Sequence, residues 1–250
     1  MDKRYIQLYS LNKEAEADFE GTLKKIAAMG YTGIEFAGFF GNKSASELKK
    51  FMAELGLEAL STHTVSENVP EILDYAAELG VKYIIDPWAS IYTYDETMAF
   101  CEVLNKTGKL CKDRGIIFGY HNHAHEFIEG KDGYLLETMI LNTDPAMVGI
   151  QLDVGWTVYA GADAVGFLKK YPGRFKLIHV KECSKARGPQ GPDEGNGWNV
   201  KAGTGIIDWV SVRDAAIASG AEAFIVEREF DYLGDIFKCV EEDCDFLREL

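Results

Sequence analysis

No apolar run in the sequence approaches the ~20 residues that a membrane-crossing helix needs. The N-terminal Met1-Asp2-Lys3-Arg4-Tyr5 leads into a short stretch, Ile6 to Tyr9, far shorter than the core of a secretory signal. Neither a membrane span nor an export signal is expected. Cysteine is sparse and unpatterned. The five residues, Cys101, Cys111, Cys183, Cys239 and Cys244, are odd in number, and no two have Cys-x-x-Cys spacing. That argues against a disulfide framework and a thiolate zinc site, and it fits reduced thiols in a cytoplasmic protein. Basic residues are outnumbered: 26 Lys plus Arg face 40 Asp plus Glu, a net charge of −14. So acidic a chain is a poor partner for nucleic acid or anionic lipid, but a small metal-filled pocket is compatible with it. What is present is ordinary for a globular chain, with 250 residues, 47% apolar and 26% charged. Such a length buries roughly 70–75% of the surface of the unfolded chain.

Short apolar runs alternate with longer amphipathic ones. The runs Ile6–Ser10, Tyr31–Phe36, Leu57–His63, Val81–Asp86, Ile116–His121, Val148–Asp153, Phe175–Val180 and Ala223–Glu227 read as strands. Helical periodicity follows each. Phe19 to Met29 stops at Gly30, and Ser44 with Glu47 three residues on opens a helix as a capping box. Further helices are expected over Val69–Leu79, Asp95–Arg114, Gly133–Leu141, Ala162–Lys170, Asp208–Ser219 and Tyr232–Leu250. One long irregular segment, Cys183–Gly205, carries Trp198 and is long enough to be a lid. Strand–helix alternation implies parallel strands with right-handed crossovers. Eight units in this length fit an α/β fold, the closed (β/α)8 TIM barrel, as a single domain over residues 1–250. An open doubly wound sheet is the runner-up. It lacks support because Leu11-Asn12-Lys13, not a glycine-rich phosphate turn, follows the first strand.

In such a barrel the chemistry gathers at the C-terminal strand ends. These ends carry Glu35; His63; Asp86 with Trp88; His121, Asn122, His123, His125 and Glu126; Asp153; His179 and Lys181; Glu227 and Glu229. All five histidines lie there. Singly, each has a plain structural explanation, such as an Asx turn at Asp153 or a satisfied core imidazole at His179. Glu227 ends an apolar strand, so its carboxylate needs a cation or donors nearby. One imidazole with three carboxylates on a shared rim suits Mn²⁺ or Mg²⁺, with Zn²⁺ or Co²⁺ also accommodated. A divalent ion there can grip a sugar carbonyl and its neighbouring hydroxyl while carboxylates move the α-proton.

The ordered set Tyr120-His121-Asn122-His123, His125-Glu126-Phe127, Leu152-Asp153-Val154-Gly155-Trp156, His179-Val180-Lys181-Glu182 and Val226-Glu227 resembles the xylose isomerase-like TIM barrels known as sugar phosphate isomerase/epimerases. The resemblance implies one divalent metal held by Asp153, His179, Glu227 and a residue near the end of the fifth strand. Where many relatives read Glu-Asn-His, this chain has His121, so Glu126 is the expected fourth ligand and His121 the alternative. Trp156 stands where ketose epimerases carry a histidine, which implies a stacking surface or a cover for the sugar. Lys185 stands where those epimerases place a substrate-contacting Arg. Glu126 and Glu227 are expected to move protons. His63, Trp88, His123, Trp156, Lys181 and Lys185 are expected to hold substrate. The implied activity is metal-dependent isomerisation or epimerisation of a sugar, keto-sugar or sugar phosphate through an enediolate. The alternative is a keto-sugar dehydratase or lyase in which His121 or His123 is the general acid. A non-catalytic sugar-binding barrel would leave many ionisable groups on one rim without use. A small carbohydrate is the implied partner, and an oligomer is compatible.

Overall fold

The computed structural model describes residues 1–131, 133–189, 198–229, 232 and 234–250. Eight parallel strands form a closed barrel: β1 (Tyr5–Gln7), β2 (Gly33–Phe36), β3 (Glu58–His63), β4 (Tyr83–Asp86), β5 (Ile117–His121), β6 (Val148–Asp153), β7 (Phe175–Val180) and β8 (Ala223–Val226). β8 pairs with β1 through Tyr5 opposite Ile225, which closes the ring. The strands are nearly continuous apolar runs because both faces are covered, by barrel filling inside and helices outside. Each of the eight expected strands overlaps an observed one. Val148–Asp153 and Phe175–Val180 agree to the residue, and the others differ at an end by one to three residues. The largest difference is at β1, where Leu8–Leu11 turn into a 3-10 helix after Gln7.

The helices are α1 (Asn12–Ala17), α2 (Phe19–Ala28), α3 (Ala45–Leu55), α4 (Val69–Leu79), α5 (Tyr94–Lys112), α6 (Leu135–Asn142), α7 (Val154–Tyr159), α8 (Ala164–Lys170), α9 (Trp209–Ser219) and α10 (Ile236–Glu249). Their limits follow local chemistry. Ser44 and Glu47 cap α3 reciprocally, and Gly56 closes it at φ 69°. Asp163, Asp208 and Asp235 accept backbone N–H bonds at the starts of α8, α9 and α10. α1 and α7 are two short helices beyond the simple eight-unit pattern, each too brief for periodicity to reveal.

Side-chain alternation sorts the barrel interior into levels. Tyr5, Leu60, Tyr83, Ile85, Leu177, Ala223 and Ile225 form an apolar cluster separate from the main core. One step along the same inward faces the residues become polar: Gln7 after Tyr5, His179 after Leu177, and Glu227 after Ile225. Register then sets neighbours, with Asp153 opposite His179, Gln7 opposite Glu35 and His121 opposite Gln151.

Gly155 marks a tight joint of the site. A Cβ there would lie 2.5 Å from the Lys181 carbonyl oxygen and 2.8 Å from its Cγ. Gly155→Ala is therefore expected to push α7 off the end of β7 at a cost of about 1–3 kcal/mol, read as a lower denaturant midpoint. An unchanged midpoint would show that α7 can slide without loss.

Residues 190–197, the middle of the expected lid, lie outside the described residues. Its described ends are fixed. Glu182–Cys183 pairs antiparallel with Asn199–Val200, and buried Trp198 packs on Trp156 and Tyr159 at centroid distances of 4.3 and 4.8 Å. All five cysteines are free and buried. Among the described residues no helix is long and apolar enough to cross a membrane.

Candidate metal centre and active-site cavity

The floor of the site is built around Glu35, a fully buried carboxylate at the end of β2. Its Oε1 accepts from Gln7 Nε2 at 2.9 Å and faces His179 Nε2 at 2.6 Å and His63 Nε2 at 3.1 Å. Its Oε2 accepts from Ser61 Oγ at 2.6 Å and Gln151 Nε2 at 2.7 Å. Burial alone would raise its pKa, but His63 and His179 outweigh that and hold it well below the usual carboxylate range. The carbonyl oxygen of Gln151 in turn faces His63 Nε2 at 2.8 Å and His121 Nδ1 at 3.0 Å.

Above this floor His121, Asp153, His179 and Glu227 converge, all buried, with ligand-capable atoms within 4.8 Å of one another. Glu227 Oε2 is 2.9 Å from His179 Nδ1. Asp153 Oδ2 is 3.8 Å from both His179 Nδ1 and His121 Nε2. Lys181 Nζ stands among the carboxylates, 3.2 Å from Asp153, 2.8 Å from Glu227 and 2.6 Å from Glu229. Burial opposes charge on His179, but Glu227 and Glu35 at its two nitrogens raise its pKa to about 10. Burial, reinforced by the neighbouring imidazoles of His179 and His123, keeps His121 neutral, well below its ordinary value. Burial would raise Glu227, yet Lys181 and His179 hold it well below the usual range. Asp153 is raised, chiefly by burial.

The four residues fit a divalent cation. Asp153 Oδ1 accepts from the Trp156 amide at 2.7 Å, but its buried Oδ2 accepts no well-formed hydrogen bond. The Lys181 ammonium lies near that oxygen without the geometry of a donor. An unsatisfied buried carboxylate oxygen facing two imidazoles and a second carboxylate matches the donor set of a two-nitrogen, two-oxygen centre.

A cavity of about 550 Å³ opens over this group. His63, His121, His123, Trp88, Glu227 and Glu229 line it, together with Tyr9, Thr64, Asn68 and Glu71. Among the described residues, no Lys or Arg lines it. Trp88 and His123 meet edge to face at 4.7 Å.

Of the site residues expected from sequence, Asp153, His179 and Glu227 come together, and so does His121. Glu126 does not join them. It lies in a 3-10 turn, where its carboxylate accepts from the Tyr120 hydroxyl at 2.5 Å and the His123 amide at 2.9 Å. Tyr120 and His121 are adjacent on a strand, so they face opposite ways, and Glu126 follows Tyr120 away from the barrel axis. His63, His123 and Trp88 line the cavity. Lys181 and Trp156 lie behind its wall, stacked on each other with Nζ 5.3 Å from the ring centroid. Lys185 is exposed and does not line the cavity. Gln151 and Gln7 went unnoticed in the sequence, and Glu35 and Glu229 appeared there only as strand-end polar residues without a role. The available signal was a polar side chain inside an apolar strand, as in Val148-Gly149-Ile150-Gln151-Leu152-Asp153.

The inosose dehydratase of Bacillus anthracis is 26% identical over 195 residues, a match covering 67% of this chain and 64% of that protein. The match thus spans less than two thirds of that relative. The inosose dehydratase of Geobacillus thermodenitrificans is 26% identical over 255 residues, covering 86% of this chain and 84% of that protein. A crystal structure of a sugar phosphate isomerase/epimerase from Parabacteroides distasonis superposes with a TM-score of 0.82 at 28% identity, over 100% of this chain and 99% of that one. The xylose isomerase-like TIM barrel model matches residues 23–250, nearly the whole of the closed barrel, and the chain belongs to that family.

Proposed function

We propose that the chain is a metal-dependent isomerase or epimerase of an unphosphorylated keto-sugar or keto-polyol. The observation that carries this reading is the convergence of His121, Asp153, His179 and Glu227 beneath a cavity of sugar size. A divalent cation held by those four supplies the positive charge that steadies oxygen atoms as the α-proton leaves. Two imidazoles and two carboxylates suit Mn²⁺, Co²⁺ or Zn²⁺ better than Mg²⁺, which prefers an all-oxygen shell. Glu227 reaches the cavity, is held ionised and is the proton acceptor. His123 and Trp88 form an aromatic wall, and His63 and Glu229 offer partners for hydroxyl groups. The lack of Lys or Arg among the described lining residues favours a substrate without phosphate. Five free, buried thiols support a reducing compartment such as the cytoplasm.

A second reading, dehydration, draws on a specific asymmetry. With Glu126 turned away, the strand ends lining the cavity offer the carboxylates of Glu227 and Glu229 after β8 and the imidazoles of His63, His121 and His123 from β3 and β5, while Glu71 enters from α4. A carboxylate base suits loss of water: the Cα–H proton goes to Glu227, and the β-hydroxyl leaves with that proton, returned by Glu227 directly or through Glu229, since burial leaves the expected acids His121 and His123 neutral. The names of the inosose dehydratase relatives point the same way.

Metal-depleted protein reloaded with Mn²⁺, Co²⁺ or Zn²⁺ and offered keto-sugars and keto-inositols in D₂O tests both readings. Deuterium incorporation into a product that otherwise keeps the substrate's composition supports epimerisation. Loss of one water supports dehydration. Turnover that is indifferent to chelation would overturn the metal-dependent reading.

A further inference from the structure

Resting on the metal-binding reading above, we infer that Glu35 is a positioning residue that fixes, from beneath, the proton arrangement of both histidine ligands. The inference follows from which atoms can donate. A carboxylate only accepts, so the His179 nitrogen facing Glu35 Oε1 at 2.6 Å, Nε2, carries hydrogen. Nδ1, which faces the carboxylates of Glu227 at 2.9 Å and Asp153 at 3.8 Å, is then the nitrogen whose hydrogen a divalent cation would replace. The same reasoning passes through Gln151. Its amide group facing Glu35 Oε2 at 2.7 Å must be the NH₂, so its carbonyl oxygen is turned to His121 Nδ1 at 3.0 Å. His121 therefore carries its hydrogen on Nδ1 and directs the Nε2 lone pair toward Asp153, 3.8 Å away. One carboxylate, reached by donors from β1, β2's neighbour β3, β6 and β7, sets the direct and the relayed histidine together.

Replacing the carboxylate with an amide breaks this logic without changing its shape. In Glu35→Gln one of the two terminal atoms becomes an NH₂. If it faces Gln151, that amide must turn over and present NH₂ to His121 Nδ1, which moves the ring hydrogen onto Nε2. If it faces His179, that imidazole meets a donor instead of an acceptor. Either outcome misdirects one ligand. Loss of such outer partners typically weakens metal binding about 10–100-fold.

The test is Co²⁺ titration of the metal-depleted protein, followed by calorimetry and visible absorption, with thermal melting in chelator as a check on folding. Glu35→Gln is expected to bind Co²⁺ about 10–100-fold more weakly, with an altered ligand-field band. Gln151→Met, which cuts only the relay to His121, is expected to shift the same readouts by less. Ser61→Ala removes another donor to Glu35 but touches neither histidine, and it should leave Co²⁺ affinity unchanged. Co²⁺ binding by Glu35→Gln with wild-type affinity and spectrum would overturn the inference. If Glu35→Gln does not fold, wild-type behaviour of Gln151→Met would overturn the relay. Failure of the wild-type protein itself to bind a divalent ion would instead remove the metal-dependent reading on which the inference rests.

Discussion

Glu227→Gln should lower kcat/KM by about 10³-fold or more while the barrel remains folded, because one side chain combines two duties each worth orders of magnitude. Its Oε2 contacts His179 Nδ1 at 2.9 Å and Lys181 Nζ at 2.8 Å, so it is a member of the candidate metal group. The same residue lines the cavity, where an ionised carboxylate can take a proton from substrate. Glutamine keeps the size and one acceptor oxygen but cannot ionise, and it removes one of the two negative charges in the group. Loss of the proton acceptor alone costs typically 10²–10⁴-fold. The barrel should stay folded, at a lower melting temperature, because Gln is isosteric and the two buried cations keep other carboxylates: Lys181 keeps Asp153 and Glu229, and His179 keeps Glu35. Circular dichroism with thermal melting checks the fold, elemental analysis checks bound metal, and steady-state assay checks turnover. A folded Glu227→Gln with wild-type kcat/KM would remove Glu227 from both duties.

The barrel was legible because its strands are covered on both faces, and buried parallel strands announce themselves as short apolar runs alternating with helical patterns, several of which stop at Gly. Asp153, His179 and Glu227 were legible for a related reason: each ends such a run, and neighbouring β6, β7 and β8 must bring those ends together. The fourth member depended on a quantity that sequence order does not contain, the direction of a side chain leaving a strand. Tyr120 and His121 are adjacent, and period-two alternation sends one outward and one inward. Once Tyr120 faces outward it takes Glu126 with it through the hydroxyl bond, and His121 is left on the axis. Glu35 and Gln151 were obscured differently. Their partners lie on other strands, up to 144 residues away for Glu35 and His179, and only the closed ring makes them neighbours. Trp156 was expected at the sugar. It is instead covered by Trp198, whose contact depends on the path of a long irregular segment. Lys185 lies on that same segment, which strand and helix periodicity cannot place.

Removing the ammonium of Lys181 should produce the largest stability change, and a divalent cation should reverse part of it. Lys181 is fully buried, and its Nζ is the nearest positive charge to three carboxylates, Asp153, Glu227 and Glu229, at 3.2, 2.8 and 2.6 Å. Burial alone would suppress its charge, but those carboxylates raise its pKa well above the ordinary lysine value. Lys181→Met preserves most of the stem that packs on Trp156 and deletes only the charge. The carboxylates then confront one another in a low dielectric with His179 as the remaining neighbour of opposite charge. Breaking a buried ion pair from one side costs about 3–5 kcal/mol. For a domain of this size that corresponds to a melting temperature lower by about 10 °C in chelator. A cation bound to Asp153 and Glu227 restores the missing charge, and at a hundredfold excess over its Kd it returns about 2.7 kcal/mol. The rise in melting temperature on adding Mn²⁺ or Co²⁺ should therefore be larger in Lys181→Met than in the wild type. In the wild type the ion must share those oxygens with an ammonium already in place. Scanning calorimetry of both proteins, with chelator and with metal, measures all four values. Equal melting of the two proteins in chelator would mean that the three carboxylates do not need Lys181. An equal response to metal would mean that the ammonium and the ion occupy separate places.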